Sequence, residues 1–261
     1  MAGQKSLRVT NAIAQLLPNT GGPKQAARRL LATVTSSTMM YGAPIWYAAT
    51  AHESYVRAMK SAHRLASLRV CCAFRTVSNA AASVIAGRMP IALQAKKAAA
   101  VRNLRKMQVA DRSRRAEAEA NLLMQCQQEW DESPSGRWTH SLIPNLGCWL
   151  KRKHGEPNYY VTQFLTGHGC FREYLYKYKH VEHPFCLFCV DHIENVEHVF
   201  TECPRFNSGR LALEQVLNET VTCVGIVQQM TESSEKWQKI NHIVTTIMQQ
   251  LRRDEQCTRE Q

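Results

Sequence analysis

The chain has 261 residues, 44% of them hydrophobic and 21% charged, with 12 glycines and 9 prolines. That composition can bury one large core or two modest ones, and it excludes collagen-like, low-complexity and wholly disordered chains. No apolar run approaches the roughly 20 residues of a membrane span, and the first residues lack a signal-peptide core and cleavage site, so a soluble, intracellular protein without a membrane partner is expected.

The formal net charge of +12 is unevenly spread. Residues 1–70 hold nine basic residues against one acidic, and residues 96–115 hold eight against Asp111. By contrast, 116–149 and 181–209 each carry a net −4, while 150–180 carry +4. A polyanion would therefore meet the first half of the chain.

In chain order, the opening stretch to Leu17 reads as a helix, interrupted by the turn residues Pro18 to Pro23. Up to about Trp46, Ala27, Leu30, Leu31, Val34, Thr38 and Tyr41 recur at helical spacing and are expected to face inward. A further helix over about 52–73 directs Tyr55, Met59, Ala62, Ala66, Leu68 and Val70 inward. Thr76 or Ser78 caps a short helix through Ile85, stopped by Gly87 and Pro90. Residues 91–130 contain no glycine or proline and are rich in helix formers, so one long helix is expected, basic in its first half and acidic in its second.

Asp131 to Gly136 is the best linker in the chain. The expected organisation is a basic helical region over 1–131, an aromatic-rich connector over 132–180, a cysteine-rich knuckle over 181–209 and C-terminal helices over 210–261. The fold class expected is mainly α. Residues 159–179 read as two helical pieces broken near Gly167 and Gly169, with Tyr159, Phe164, Leu165, Phe171, Tyr174, Leu175 and Tyr178 as core. Helices are expected again over 208–218 and about 233–252.

Ten cysteines occur, and four chemistry-bearing residues among them and the histidines have ligand spacing. Cys186, Cys189, His198 and Cys203 form C-x2-C-x8-H-x4-C. A C-x-x-C turn lets two thiolates converge, and a distal His and Cys complete the tetrahedral N/S shell that zinc prefers. Four protein ligands leave no open position, so the expected role of zinc is structural. His192 is an alternative to His198, but its short separation from Cys189 makes a cramped loop. The remaining cysteines show no such spacing and read mostly as buried thiols.

With −4 on the knuckle segment, phosphate contacts are expected elsewhere: at Lys96, Lys97, Arg102, Arg105, Lys106 and Arg112, and at Lys151, Arg152 and Lys153. The metal then clamps the C-terminal helices onto the preceding segment. A rival enzyme reading notes that His154-Gly-Glu156 precedes Pro184-Phe-Cys186-x2-Cys189 at about the interval of zinc deaminases. Phe185, Pro157 and the unexplained His198 and Cys203 count against it.

Several strings carry a resemblance. Asn19-Thr-Gly-Gly-Pro23, Tyr41-Gly-Ala-Pro-Ile-Trp46, Phe74-Arg-Thr76, Gly136-Arg-Trp-Thr139, Leu142-Ile-Pro-Asn145, Gln163-Phe-Leu-Thr-Gly-His-Gly-Cys-Phe171 and the knuckle through Phe206 occur in one order. Together they resemble the region after the polymerase palm in arthropod non-LTR (type-1) retrotransposons, nearest to the group that inserts into ribosomal DNA. The resemblance implies a thumb-like helical domain followed by a small zinc-knuckle-containing helical domain. Its parent would be a Pol polyprotein with reverse transcriptase and endonuclease activity, priming synthesis from nicked target DNA. It further implies RNA template, target DNA and the rest of the polyprotein as partners, and nuclear location at integration. Magnesium would belong to the missing palm, because the only aspartates, Asp111, Asp131, Asp191 and Asp254, include no adjacent pair, and no catalytic residue is expected here. The alternative is a stand-alone zinc-dependent nucleic-acid-binding protein.

Overall fold

In a computed structural model that describes residues 2–106 and 112–259, helices supply almost all of the regular structure. Among the described residues the one β pairing is an isolated antiparallel bridge between Phe185 and Ile193. The protein is therefore mainly α. It divides into two units, the first made of Met1–Ala73, Ser78–Ser135 and Asn145–Gly147, the second of Phe74–Val77, Gly136–Pro144 and Cys148–Gln261.

The first unit is built on α1 (Ala2–Gln15), α2 (Gln25–Met40), the single turn α3 (Ala43–Trp46) and α4 (Glu53–Val70), with α1, α2 and α4 packed together. Gly3 permits the close approach of α1 to α4, since a Cβ there would lie 3.1 Å from the Ala58 Cβ. Met39, Met59, Ala62 and Ile91 form a core cluster against which Leu7, Met40 and Trp46 pack. The short helix α5 (Asn79–Ala86) is capped by Ser78, whose hydroxyl accepts from the Ala81 N–H, and ends at left-handed Gly87; Thr76 is not the cap.

The face of α2 differs from the one its apolar spacing suggests. Gln25, Arg28, Ala32, Thr35 and Met39 are buried, while Leu30 is 69% and Tyr41 85% exposed, and Val34 is exposed as well. Arg28 explains the inversion. Its guanidinium is 2% exposed and donates to the carbonyls of Pro23 (2.7 Å), Arg69 (3.0 Å), Leu17 (3.5 Å) and Pro18. Carbonyls left over at the ends of α1 and α4 thus find a charged donor, and a polar side chain takes the inward position. On α4 likewise Val56, rather than exposed Tyr55, faces the core.

Helices α6 (Ile91–Lys106) and α7 (Arg112–Asp131) replace the single long helix expected over 91–130. Lys96 Nζ donates to Gln125 Oε1 at 2.8 Å and Lys97 pairs with Glu119 at 3.0 Å. On one continuous helix residues 96 and 125 would be roughly 40 Å apart. The lack of glycine and proline allows helix without compelling it to be continuous. Folding back buries Leu122 and Cys126 and sets the basic half against the acidic one.

Beyond the linker, the aromatic-rich connector contains two short helices that its sequence pattern did not reveal, α8 (Arg137–Leu142) and α9 (Leu146–Lys151). In the second unit α10 (Tyr159–Thr166) and α11 (Arg172–Lys177) are followed by α12 (Asn207–Leu217), α13 (Cys223–Glu232) and α14 (Ser234–Arg259). Helices α10, α12 and α13 pack on α14, and α8 packs on α10 and α13. Asn158 caps α10 through the Tyr160 and Val161 N–H groups. Trp138 Nε1 and Thr139 Oγ1 then donate to the Phe164 and Leu165 carbonyls at its other end.

The Leu165 to Phe171 string makes a sharp corner. Gly167 is left-handed (φ +68°) and ends α10. Gly169, at φ +139°, lies so close to Gln163 that a Cβ would sit 1.8 Å from the Gln163 Oε1. No other residue meets both demands.

Candidate metal centre

Residues 184–194 fold as a small hairpin. The Glu194 N–H donates to the Pro184 carbonyl (2.9 Å), the Cys186 N–H to His192 (2.8 Å) and the His192 N–H to Cys189 (2.8 Å). The last of these closes the tight turn that holds the first two thiols together. His198 and Cys203 come from the next segment. Asn195 Oδ1 accepts from the His198 N–H at 2.9 Å, and a π-turn over His198–Glu202 closes with the Cys203 N–H on the His198 carbonyl at 2.8 Å. That wider turn brings two ligands separated by four residues to the same side.

The result is one cluster: single donor atoms from Cys186, Cys189, His198 and Cys203 all lie within 4.8 Å of one another. The Sγ of Cys203 is 3.9 Å from that of Cys186 and 4.0 Å from that of Cys189. His198 is 4% exposed, with Nδ1 3.2 Å from Glu202 Oε2. Its buried Nε2 has no hydrogen-bond partner among the described residues. A carboxylate on one ring nitrogen fixes the tautomer that leaves the other free to ligate. The donor set and its geometry are compatible with zinc.

His192 is excluded from this cluster. Its carbonyl serves the hairpin, and its exposed ring stacks on His198 with centroids 5.3 Å apart. Burial pushes the thiols of Cys186, Cys189 and Cys203 above their ordinary value; a bound soft dication reverses that preference and holds them as thiolates.

The knuckle is wired into the helices around it. Phe200, on the π-turn, packs against Phe164 of α10 with centroids 4.8 Å apart. Arg205 reaches Glu194 (2.8 Å) and Asp254 of α14 (3.5 Å), lying over the Phe206 ring. The Glu173 N–H donates to the Glu194 carbonyl, and Arg172 of α11 pairs with Glu255 of α14 at 3.7 Å.

His154, the ligand a deaminase reading requires, lies outside the cluster. Its Nε2 is 3.1 Å from the Met230 carbonyl and its ring meets Trp237 edge-on, which leaves that reading without its third ligand.

The basic residues named from sequence fall into two groups, one in each unit. On α6, Lys96 and Arg102 are exposed, while Lys97 is paired with Glu119. The side chains of Arg105 and Lys106 lie outside the described residues. Arg112 is exposed at the start of α7, and Lys151 and Lys153 are exposed in the second unit. Arg152 differs: its guanidinium lies 3.6 Å from the Trp149 ring centre and 5.0 Å from that of Trp237, a packing role.

The buried cysteines outside the cluster behave as ordinary core thiols. Burial pushes Cys71 and Cys223 up to about 12 and Cys126 up to about 11.

No protein-family profile and no solved structure matches the chain. Curated relatives do. It is 30% identical over 208 residues, 72% of its length, to the retrovirus-related Pol polyprotein from type-1 retrotransposable element R1 2 of Nasonia vitripennis. Against that from element R1 4 of the same wasp it is 28% identical over 187 residues, 66% of its length. With the R1 Pol polyprotein of Bradysia coprophila it shares 30% identity over 191 residues, again 66% of its length. The chain spans 50%, 47% and 18% of these relatives respectively.

Proposed function

This chain is homologous to a segment of R1-type retrotransposon Pol polyproteins, and on that premise we propose that it is a C-terminal, nucleic-acid-positioning part of an RNA-directed DNA polymerase. Its partners in this reading are the RNA template, the target DNA and the rest of the polyprotein, with a nuclear site of action at integration. Polymerase and endonuclease chemistry would be carried elsewhere in the polyprotein, since the four scattered aspartates of this sequence include no pair to hold two magnesium ions. The observation that carries the reading is the Cys186, Cys189, His198 and Cys203 cluster within a chain so related.

Zinc, in this proposal, is a structural clamp. Four protein donors would fill its coordination sphere, and the knuckle they close is joined to α10, α11 and α14 by Phe200, Glu194 and Arg205. Phosphates would be met by Lys96, Lys97, Arg102, Arg105, Lys106 and Arg112 and by Lys151 and Lys153, with affinity falling as salt rises.

Two measurements test this. Elemental analysis of the purified chain is expected to find one zinc per molecule, lost in Cys189→Ser; wild-type protein without zinc refutes the clamp. Neutralising Lys96, Lys97, Arg102, Arg105 and Lys106 is expected to weaken RNA and DNA binding across all sequences and flatten its salt dependence. Unchanged binding removes α6 from the interface.

A further inference from the structure

Six rings in the second unit make a continuous path at the surface. Tyr160 meets Tyr159 (centroids 5.2 Å apart), Tyr159 meets Phe74 (5.8 Å), Phe74 meets Tyr174 (5.9 Å), and Tyr174 meets both His168 and Tyr178 (4.8 Å each). Rings so closely associated ordinarily sink into a core. Here five are only half-buried and Tyr178 is exposed.

Polar contacts hold the rings in place. Thr76 Oγ1 lies 2.9 Å from the Tyr174 hydroxyl and 3.0 Å from His168 Nδ1, and Arg252 lies 3.5 Å from the Tyr160 hydroxyl. Cations stand at both ends. At the Tyr160 end a hollow of about 340 Å³ is lined by Gln249, Arg252, Arg253 and Gln256. Next to Tyr178 along the chain, Tyr176, Lys177, Lys179, His180, Val181 and Glu182 line a hollow of about 490 Å³, which Tyr178 itself does not line. Among the described residues Lys177 and Lys179 form no ion pair, and Arg75 next to the path is exposed. Glu182 is the one acid lining either hollow, while Asp254 and Glu255 on α14 are drawn to Arg205 and Arg172.

We propose that this aromatic path, from Tyr160 through Phe74 and Tyr174 to Tyr178, is a binding site for single-stranded nucleic acid. Bases stack on the rings, and Arg75, Lys177, Lys179, Arg252 and Arg253 take the phosphates. Stacked bases need exposed aromatic faces with cations alongside, and each base offers a face whatever its identity, so the site reads strand character rather than sequence. Its span suits about four nucleotides, the low end for such platforms. Burial raises the titration of the Tyr159 and Tyr174 hydroxyls, so neither carries a negative charge toward a phosphate. A duplex, with its bases already stacked, does not fit. The assignment rests on the proposed nucleic-acid role and adds a site that none of the α6, α7 or Lys151 to Lys153 residues belongs to.

The test uses the whole zinc-loaded chain and a labelled mixed-sequence RNA of about 16 nucleotides, read by fluorescence anisotropy. The surface variant Lys177→Gln/Lys179→Gln/Arg253→Gln is expected to flatten the slope of log affinity against log salt by about 2. Tyr178→Ser is expected to weaken binding about fivefold or more. Independently of any variant, photocrosslinking of 4-thiouridine RNA to the wild-type chain is expected to label peptides containing Tyr160, Tyr174 or Tyr178. Crosslinks confined to α6 and α7, with both variants unaffected, overturn the path while leaving the proposed function standing. Displacement of the RNA by duplex or by a poly-glutamate peptide at matched charge also overturns it, by showing a merely electrostatic surface. Failure of the wild-type chain to bind any nucleic acid removes both proposals.

Discussion

Replacing Arg205 with methionine isolates the link between the knuckle and α14. The guanidinium side chain is 6% exposed and Glu194, 2.8 Å away, is 3% exposed, whereas Asp254, at 3.5 Å, is 36% exposed. Removing one member of such a buried pair strands the other, a loss of about 3 to 5 kcal/mol. The more exposed Asp254 adds less than about 1 kcal/mol. Removing both charges as Glu194→Leu/Arg205→Met leaves nothing stranded, so the double variant is expected to recover most of that loss. Hydrogen–deuterium exchange by mass spectrometry suits the question because it reads each segment separately. For zinc-loaded Arg205→Met, peptides from 184–206 and the end of α14 are expected to exchange on the order of a hundredfold faster, while α1, α2 and α4 do not change. Unchanged exchange in both peptides, or a double variant no better than the single one, refutes the account of Arg205 as the buried tie.

Acid is expected to destabilise the first unit through His63. Burial, with Arg88 nearby, holds this histidine down to about 3. The folded state refuses a proton that the unfolded chain accepts below about 6.5, so stability present above pH 6.5 is lost as pH falls toward 3. At pH 5 the loss is about 2 kcal/mol, read as a lowered urea midpoint and absent in His63→Gln. Gly169→Ala combines a strained φ with a clash on Gln163 and is expected to cost at least about 1 to 3 kcal/mol, lowering the thermal midpoint of the second unit; an unshifted midpoint contradicts the corner geometry. Arg28→Met is expected to cost about 3 kcal/mol or more by orphaning carbonyls of Leu17, Pro18 and Arg69, seen in urea unfolding, and a change below about 1 kcal/mol refutes the capping role.

Ligand spacing makes the clustering of Cys186, Cys189, His198 and Cys203 legible in the sequence, because C-x-x-C and a distal His and Cys answer to a local geometric rule. The choice of His198 over His192 is also legible, on loop length. Glu202 is not, since nothing in the spacing marks a carboxylate that bonds the far ring nitrogen. The inward face of α2 departs from its periodicity for a definite reason: apolar spacing cannot anticipate a buried arginine whose partners are carbonyls of the 17–23 turn and of α4. Residues 91–130 carry the right helical propensity but no sign of where the chain turns back, because the Lys97 to Glu119 pairing that favours the fold is tertiary. Short helices α8 and α9 are hidden for a similar reason. Trp138 and Thr139 bond α8 to α10 and Trp149 of α9 meets Trp237, and six residues offer too little period to read.

A knuckle segment of net −4 beside a basic aromatic surface becomes intelligible once its acids are followed to their partners. Glu194 pairs with Arg205 and Glu202 meets the His198 ring, so these two acids are engaged within the knuckle. The same wiring reaches the aromatic path. On α14 Asp254 and Glu255 turn to Arg205 and Arg172, while their neighbour Arg252 meets Tyr160. Arg172 and Tyr174 share α11 in the same way. A metal that holds the knuckle would therefore steady α11, which carries Tyr174, and α14, which carries the flanking Arg252. Zinc removal is then expected to weaken single-strand binding without the knuckle touching RNA, and Cys189→Ser to reproduce the loss. Anisotropy at constant salt decides the point: equal affinity of zinc-loaded and zinc-free chain would uncouple the clamp from the path.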